Sequence, residues 1–177
     1  MEDWAEDRRK QILDVLKGRR EPITGSELAR QFQVSRQVIV QDIALLRAKG
    51  ETILATPRGY LVPGAVGQVP GMTRILACVH SKEGVEEELK TIVRMGGEVV
   101  DVTVEHPLYG QLSGMLMLRS EVDVDRFMEG LKITGAKLLS SLTEGVHLHT
   151  IRVSNLETFN AIREKLRQKG FLLEDQD

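Results

Sequence analysis

Residues 24–50, TGSELARQFQVSRQVIVQDIALLRAKG, leave a folding chain few choices. Thr24 and Glu27 have the N-cap and N3 spacing of a capping box. They open a helix whose Leu28, Ala29 and Phe32 can pack. Gln33 and Val34 make a tight turn, and Ser35 is a good N-cap for a second helix. That helix sets Ile39, Ile43 and Leu46 on one stripe and stops at Gly50. Upstream, residues 4–17 read as an amphipathic helix with Ile12, Leu13 and Leu16 inward. Downstream, ILATPRGYLV reads as two short strands around Pro57, Arg58 and Gly59. Three helices and a hairpin in this order form a winged helix-turn-helix.

Such a unit implies a double-stranded DNA operator as partner, because an α-helix fits the major groove and its N-terminal side chains reach base edges. The exposed tip here is Ser35, Arg36, Gln37, Val40 and Gln41. Arg pairs bidentately with guanine, Gln with adenine, and Val meets a thymine methyl. Ser35 can contact a phosphate as well as cap its helix. Thr56 and Arg58 of the wing are placed for phosphates or the minor groove. A solvated polar face on a small three-helix domain is the plainer alternative. Spacing does not separate base contacts from phosphate contacts.

Charge agrees in sign. Residues 1–62 hold 11 Lys/Arg against 9 Asp/Glu, whereas the remainder holds 13 against 17. The overall charge of -2 thus conceals a slightly basic head. Aromatics at 4% argue against a stacking platform for single strands. No run of about 18 apolar residues exists to span a membrane, and the charged start MEDWAEDRRKQ lacks an apolar signal core. With one cysteine, Cys78, the chain has no internal disulfide and fits a reducing cytoplasm.

The run PGAVGQVPG, residues 63–71, is dense in breakers and reads as a linker. Domains are therefore expected at 1–62 and 72–177. In the second, strands are expected at 74–80, 99–105, 111–119, 137–140 and 146–153, and a possible last one at 171–173. Helices are expected at 83–95, 122–132 and 156–169. The fold class is α+β, with a mainly antiparallel sheet and helices on one face.

All four histidines follow the linker. His147-Leu148-His149 lies on a strand, where alternation points both imidazoles to one face. Such a pair suits zinc or nickel, and a strand with two polar exposed positions gives the same pattern. His80 shares a strand face with Cys78, itself read as a small buried residue. The next helix carries Glu86, Glu87 and Glu88 against the apolar stripe Val85, Leu89, Ile92 and Val93. Glu87 faces solvent, while Glu86 and Glu88 flank the stripe equally, and periodicity does not choose between them. A solvated helix start favouring the macrodipole also accounts for at least two of the three. His106 sits at a strand exit before Pro107, either as a pocket residue or as a surface residue beside a turn.

VSRQVIVQDIALLRAKG with its wing, HSKEGVEEEL, VEHPLYG and LTEGVHLHT together resemble niacin-responsive transcriptional repressors of NAD biosynthesis. Their second half is a three-histidine (3H) domain. The resemblance covers nearly the whole chain. Its helix-turn-helix part is shared with biotin-type repressors, whereas the three histidine motifs in this order are highly specific. It implies a divalent transition metal, nickel or zinc, held by His80, Glu88, His147 and His149, and so selects Glu88 over Glu86. It further implies nicotinic acid as co-repressor, with His106 lining the pocket. Three imidazoles and a carboxylate leave positions open on a six-coordinate metal, and a pyridine nitrogen suits one of them. Arg74, Arg119 and Arg152 are candidates to hold the ligand carboxylate, with Arg152 preferred. A homodimer is expected, since one recognition helix reads too few bases for specific affinity. Two other readings remain: a repressor for which the metal is itself the signal, and a metal-dependent enzyme.

Overall fold

The capping box at Thr24 forms in full. Glu27 N–H donates to Thr24 Oγ1 and Thr24 N–H donates to the Glu27 carboxylate, both at 3.1 Å. Together with Ser35, whose Oγ accepts from Val38 N–H, it fixes where α2 (Gly25–Gln31) and α3 (Arg36–Ala48) begin. The turn between them closes through Gln33 at φ 54° and a bond from Val34 N–H to the Ala29 carbonyl. Replacing Thr24 by Ala removes the bond that its Oγ1 accepts from Glu27 N–H and the one it donates to the Glu27 carboxylate, and should cost about 1 kcal/mol in urea denaturation. An unchanged midpoint would show that the box does not support the fold.

The computed structural model describes residues 2–64 and 70–174, in two compact units, Met1–Val69 and Pro70–Asp177. Most of the expected 63–71 linker, residues 65–69, lies outside the described residues.

The first unit packs α1 (Glu2–Lys17), α2 and α3 around Ile12, Leu16, Leu28, Ile39 and Ile43. Each such buried side chain contributes roughly 1.5–3 kcal/mol. The hairpin β1 (Leu54–Thr56) and β2 (Gly59–Leu61) is antiparallel and forms the wing. Gly59 must be glycine: it has φ +122°, and a Cβ there would meet the Ile23 carbonyl. The sequence reading did not single out Asp42. It is 2% exposed and lies on α3, where it accepts from Arg8 Nε (2.7 Å) and Nη2 (3.2 Å) of α1. Arg9 stands 3.5 Å away. This largely buried pair ties α1 to the recognition helix.

In the second unit β3 (Met72–Val79), β4 (Glu98–His106), β5 (Gly110–Leu118) and β6 (Val146–Val153) form an antiparallel sheet in the order β3-β6-β4-β5. The helices α4 (Val85–Arg94), α5 (Glu121–Thr134) and α6 (Leu156–Gln168) cover one face. Strand alternation then sorts the residues. Leu76, Cys78, His147, His149, Ile151 and Val153 are buried under the helices, while Ile75, Val146 and Leu148 on the other face are exposed.

Three expected elements differ. Residues 137–140 are not a strand; they lead into a 3-10 turn, Leu139–Thr143. The cause is local: Ser141 Oγ donates to the Leu138 carbonyl and Thr143 Oγ1 to that of Ser140. The helix expected over 83–95 begins as a 3-10 turn at Lys82–Gly84 before α4. Residues 171–173 make one bridge, Cys78 with Leu172, and two backbone bonds along β3 rather than a full strand.

Candidate metal centre and nucleic-acid interface

In β6 the side chains of His147 and His149 turn toward α4 because both occupy inward positions of an alternating strand. His80 follows the end of β3, the strand paired with β6. Glu88 enters from α4. It is 1% exposed, flanked on its helix by the buried Val85, Leu89 and Ile92. Glu86 turns away to an ion pair with Lys90 at 2.6 Å, and Glu87 to one with Lys169. Helix packing therefore makes the choice that periodicity left open.

The three imidazoles approach one oxygen of Glu88. Glu88 Oε2 lies 2.7 Å from His80 Nε2, 3.3 Å from His147 Nε2 and 3.4 Å from His149 Nε2. Each ring's other nitrogen is committed to a backbone carbonyl. His80 Nδ1 reaches Ser81 O at 2.8 Å, His147 Nδ1 reaches Gly145 O at 2.8 Å, and His149 Nδ1 reaches Asp101 O at 2.7 Å. A carbonyl only accepts, so each Nδ1 carries the proton, and in the neutral ring Nε2 presents its lone pair. Three lone pairs and a carboxylate then face one another, an arrangement that calls for a cation between them. The second oxygen of Glu88, Oε1, is buried with no hydrogen-bond partner.

The electrostatics carry the same message. Burial pushes the Glu88 carboxyl up, but hydrogen bonds from His147, His149 and His80 outweigh it and hold the group well below the usual carboxylate range. Burial pushes His149 and His80 down, and the Glu88 carboxylate more than offsets this, leaving both raised. Without a metal, protons take the cation's place. Cys78 lies on β3 opposite His147, fully buried, and burial together with the Glu88 charge pushes its thiol up.

The donor set fits a borderline divalent metal such as zinc or nickel: three neutral imidazoles with fixed tautomers, one carboxylate, and an orphaned carboxylate oxygen. Beside it a cleft is walled by Val102, Leu116, Phe127, Leu138 and Leu139 and floored by Glu88, His147 and His149, with Ser140 as a further polar member.

Two expected ligand residues stand elsewhere. Alternation puts Arg152 on the sheet face opposite His147 and His149, where it donates to Glu98 at 2.7 Å. Arg119 pairs with the same carboxylate at 3.2 Å, and Arg74 donates to the Thr73 carbonyl. No Lys or Arg is among the described residues that line the cleft. His106 does not line it either. Its Nδ1 accepts from Leu108 and Tyr109 N–H, and its ring stacks on Tyr109, so it serves its own turn. Sequence reasoning missed the cleft walls and Gly145, whose role is a backbone one.

In the first unit, Ser35, Arg36, Gln37 and Gln41 are exposed and Val40 is half-buried, at the N-cap and in the first turns of α3. Arg58, in the wing turn, is paired with Glu21 at 2.8 Å. A shallow groove between the start of α2 and the wing is lined by Thr24, Ser26, Arg36, Thr56 and Tyr60, donors suited to a phosphate. Replacing Arg36 by Ala should weaken binding to DNA selected by the native protein by about 1–3 kcal/mol. Fluorescence anisotropy would read it, and an unchanged affinity would remove Arg36 from the interface.

The fold is that of a helix-turn-helix unit joined to a second, α+β domain. Residues 8–61 match the HTH domain family and residues 73–175 the 3H domain family. The chain is 43% identical over 175 residues to a protein named as a probable transcription repressor, NiaR, of Thermotoga maritima, covering 99% of this chain and 98% of the relative. It is also 43% identical over 169 residues to the transcription repressor NadR of Bacillus subtilis, covering 95% and 94%. The chain belongs to this family of HTH–3H transcription repressors. These relatives are regulators rather than enzymes. No helix among the described residues is long and apolar enough to cross a membrane.

Proposed function

We propose that this chain represses genes of NAD biosynthesis and niacin uptake, with nicotinic acid as co-repressor sensed through a metal-containing 3H domain. The observation that carries the sensing half is the set of three Nδ1 atoms spent on carbonyls, which leaves three Nε2 atoms beside one oxygen of the buried Glu88 carboxylate. His80, Glu88, His147 and His149 would hold nickel or zinc. A bound metal would supply open positions for a nitrogen or oxygen donor. The small cleft beside the site has mainly apolar walls, and no Lys or Arg is among the described residues that line it. Coupling to DNA requires that the ligand bind the operator-competent state better than the other, and a homodimer on paired half-sites supplies the needed affinity.

The test is a titration. With metal-loaded protein, nicotinate should tighten operator binding, and chelated protein should not respond. Equal affinity with and without nicotinate would sink the co-repressor reading. If metal alone then drove operator binding, the protein would be a metal-responsive repressor, a reading that the imidazoles around Glu88 support without any organic ligand.

A further inference from the structure

Cys78 stands directly across from His147 in the β3–β6 pairing and two residues before His80. It lies on the inward face that holds the other donors. Its sulfur, a Glu88 carboxylate oxygen and a His147 ring nitrogen all lie within 4.8 Å of one another. Two atoms bound to one metal at about 2.0–2.3 Å each are separated by no more than about 4.6 Å. The sulfur thus sits at the edge of coordination range before any metal draws the groups together. A second observation concerns the carboxylate of this trio: Glu88 Oε1, on a residue 1% exposed, has no hydrogen-bond partner.

We infer that Cys78 is a further ligand of the metal, bound as thiolate. The inference rests on the metal reading of the four-residue site. Charge supports it. A divalent ion with three neutral imidazoles and one carboxylate leaves a net positive charge in a buried place. One thiolate neutralises the centre, and burying a neutral centre costs far less than burying a charged one. The thiol proton leaves to solvent as the metal–sulfur bond forms, so no oxidant is needed. The consequence is selectivity. A thiolate turns the set toward zinc, nickel and cobalt and away from magnesium and manganese, which prefer oxygen donors.

Full-length protein loaded with cobalt(II) gives the test. The native chain should show a near-ultraviolet sulfur-to-cobalt charge-transfer band, and Cys78→Ser and Cys78→Ala should lose it while still binding one cobalt per chain. Cys78→Ala should also weaken zinc binding by about 10–100-fold and leave manganese binding unchanged. X-ray absorption of the zinc-loaded native chain needs no variant, and should show one sulfur at about 2.3 Å among nitrogen and oxygen neighbours. Stoichiometric metal with neither band nor sulfur neighbour overturns Cys78 ligation and leaves the four-residue site standing. No metal binding by the native chain overturns both.

Discussion

Replacing Glu88 by Gln should lower zinc or nickel affinity by about 100-fold and abolish the alkaline loss of stability of the metal-free protein. Both effects come from one carboxylate that faces three imidazoles at 2.7, 3.3 and 3.4 Å. In the metal-free state Glu88 raises His80 and His149 above the ordinary imidazole value of 6.5. The folded chain then binds more protons than the unfolded chain at pH values above 6.5. Stability from this source is complete below that value and is lost as pH rises through the folded values. Glu88 itself is depressed below 4.5, so its contribution is present above that pH and is lost as pH falls through its folded value. Metal-free protein should therefore be most stable between the two, and should weaken on the alkaline side. In Glu88→Gln the buried imidazoles lack their anion, and the alkaline loss should vanish. Metal loading of the native chain should give the opposite slope, because ligands must shed protons to bind. Urea denaturation with and without chelator across this range measures all three. A chelated native protein whose stability is flat or rising above pH 6.5 would overturn the account.

How far the sequence disclosed this site differs from residue to residue. His147 and His149 were legible because strand alternation has a period of two, and β6 spans the expected residues without a shift. Glu88 was not legible from periodicity. A residue on the flank of an apolar stripe turns inward or outward according to what packs beside it, and here Glu86 and Glu87 are drawn off by Lys90 and Lys169. His106 was open to two readings, a pocket residue or a residue beside a turn, and its ring accepts bonds from Leu108 and Tyr109 in that turn. Arg152 was chosen for its charge, and the same alternation that gathers the histidines carries it to the other face.

The helix-turn-helix was read more completely, because its signals are local. A cap, a turn and a stripe each depend on neighbours within about one helical turn. Asp42 escaped for the opposite reason. Its partners Arg8 and Arg9 lie more than thirty residues away, and no local pattern marks a buried carboxylate on α3. The 137–140 segment shows a limit of another kind. LLS can alternate as a strand, but hydroxyl-to-carbonyl bonds from Ser141 and Thr143 favour a turn.

Gly145 should prove as necessary to the metal centre as a ligand, although it offers no side chain. It has φ +92°, and a Cβ there would press on the His80 carbonyl. Its own carbonyl takes the His147 Nδ1–H at 2.8 Å and the His80 N–H at 3.4 Å. One residue therefore sets the place of two of the four donors. Gly145→Ala adds backbone strain of about 1–2 kcal/mol and a backbone collision that no rotamer can relieve. Metal affinity should fall by about 100-fold or more, with stability lowered beyond the strain alone. Gly135→Ala is the matched control. That glycine also has positive φ, +62°, but a Cβ there meets nothing within 4 Å. It should cost the strain and leave metal binding unchanged. Isothermal titration with zinc and parallel urea denaturation separate the two effects. Equal losses in both variants would mean that the collision with His80 does not matter, and that the histidines are held by the strands alone.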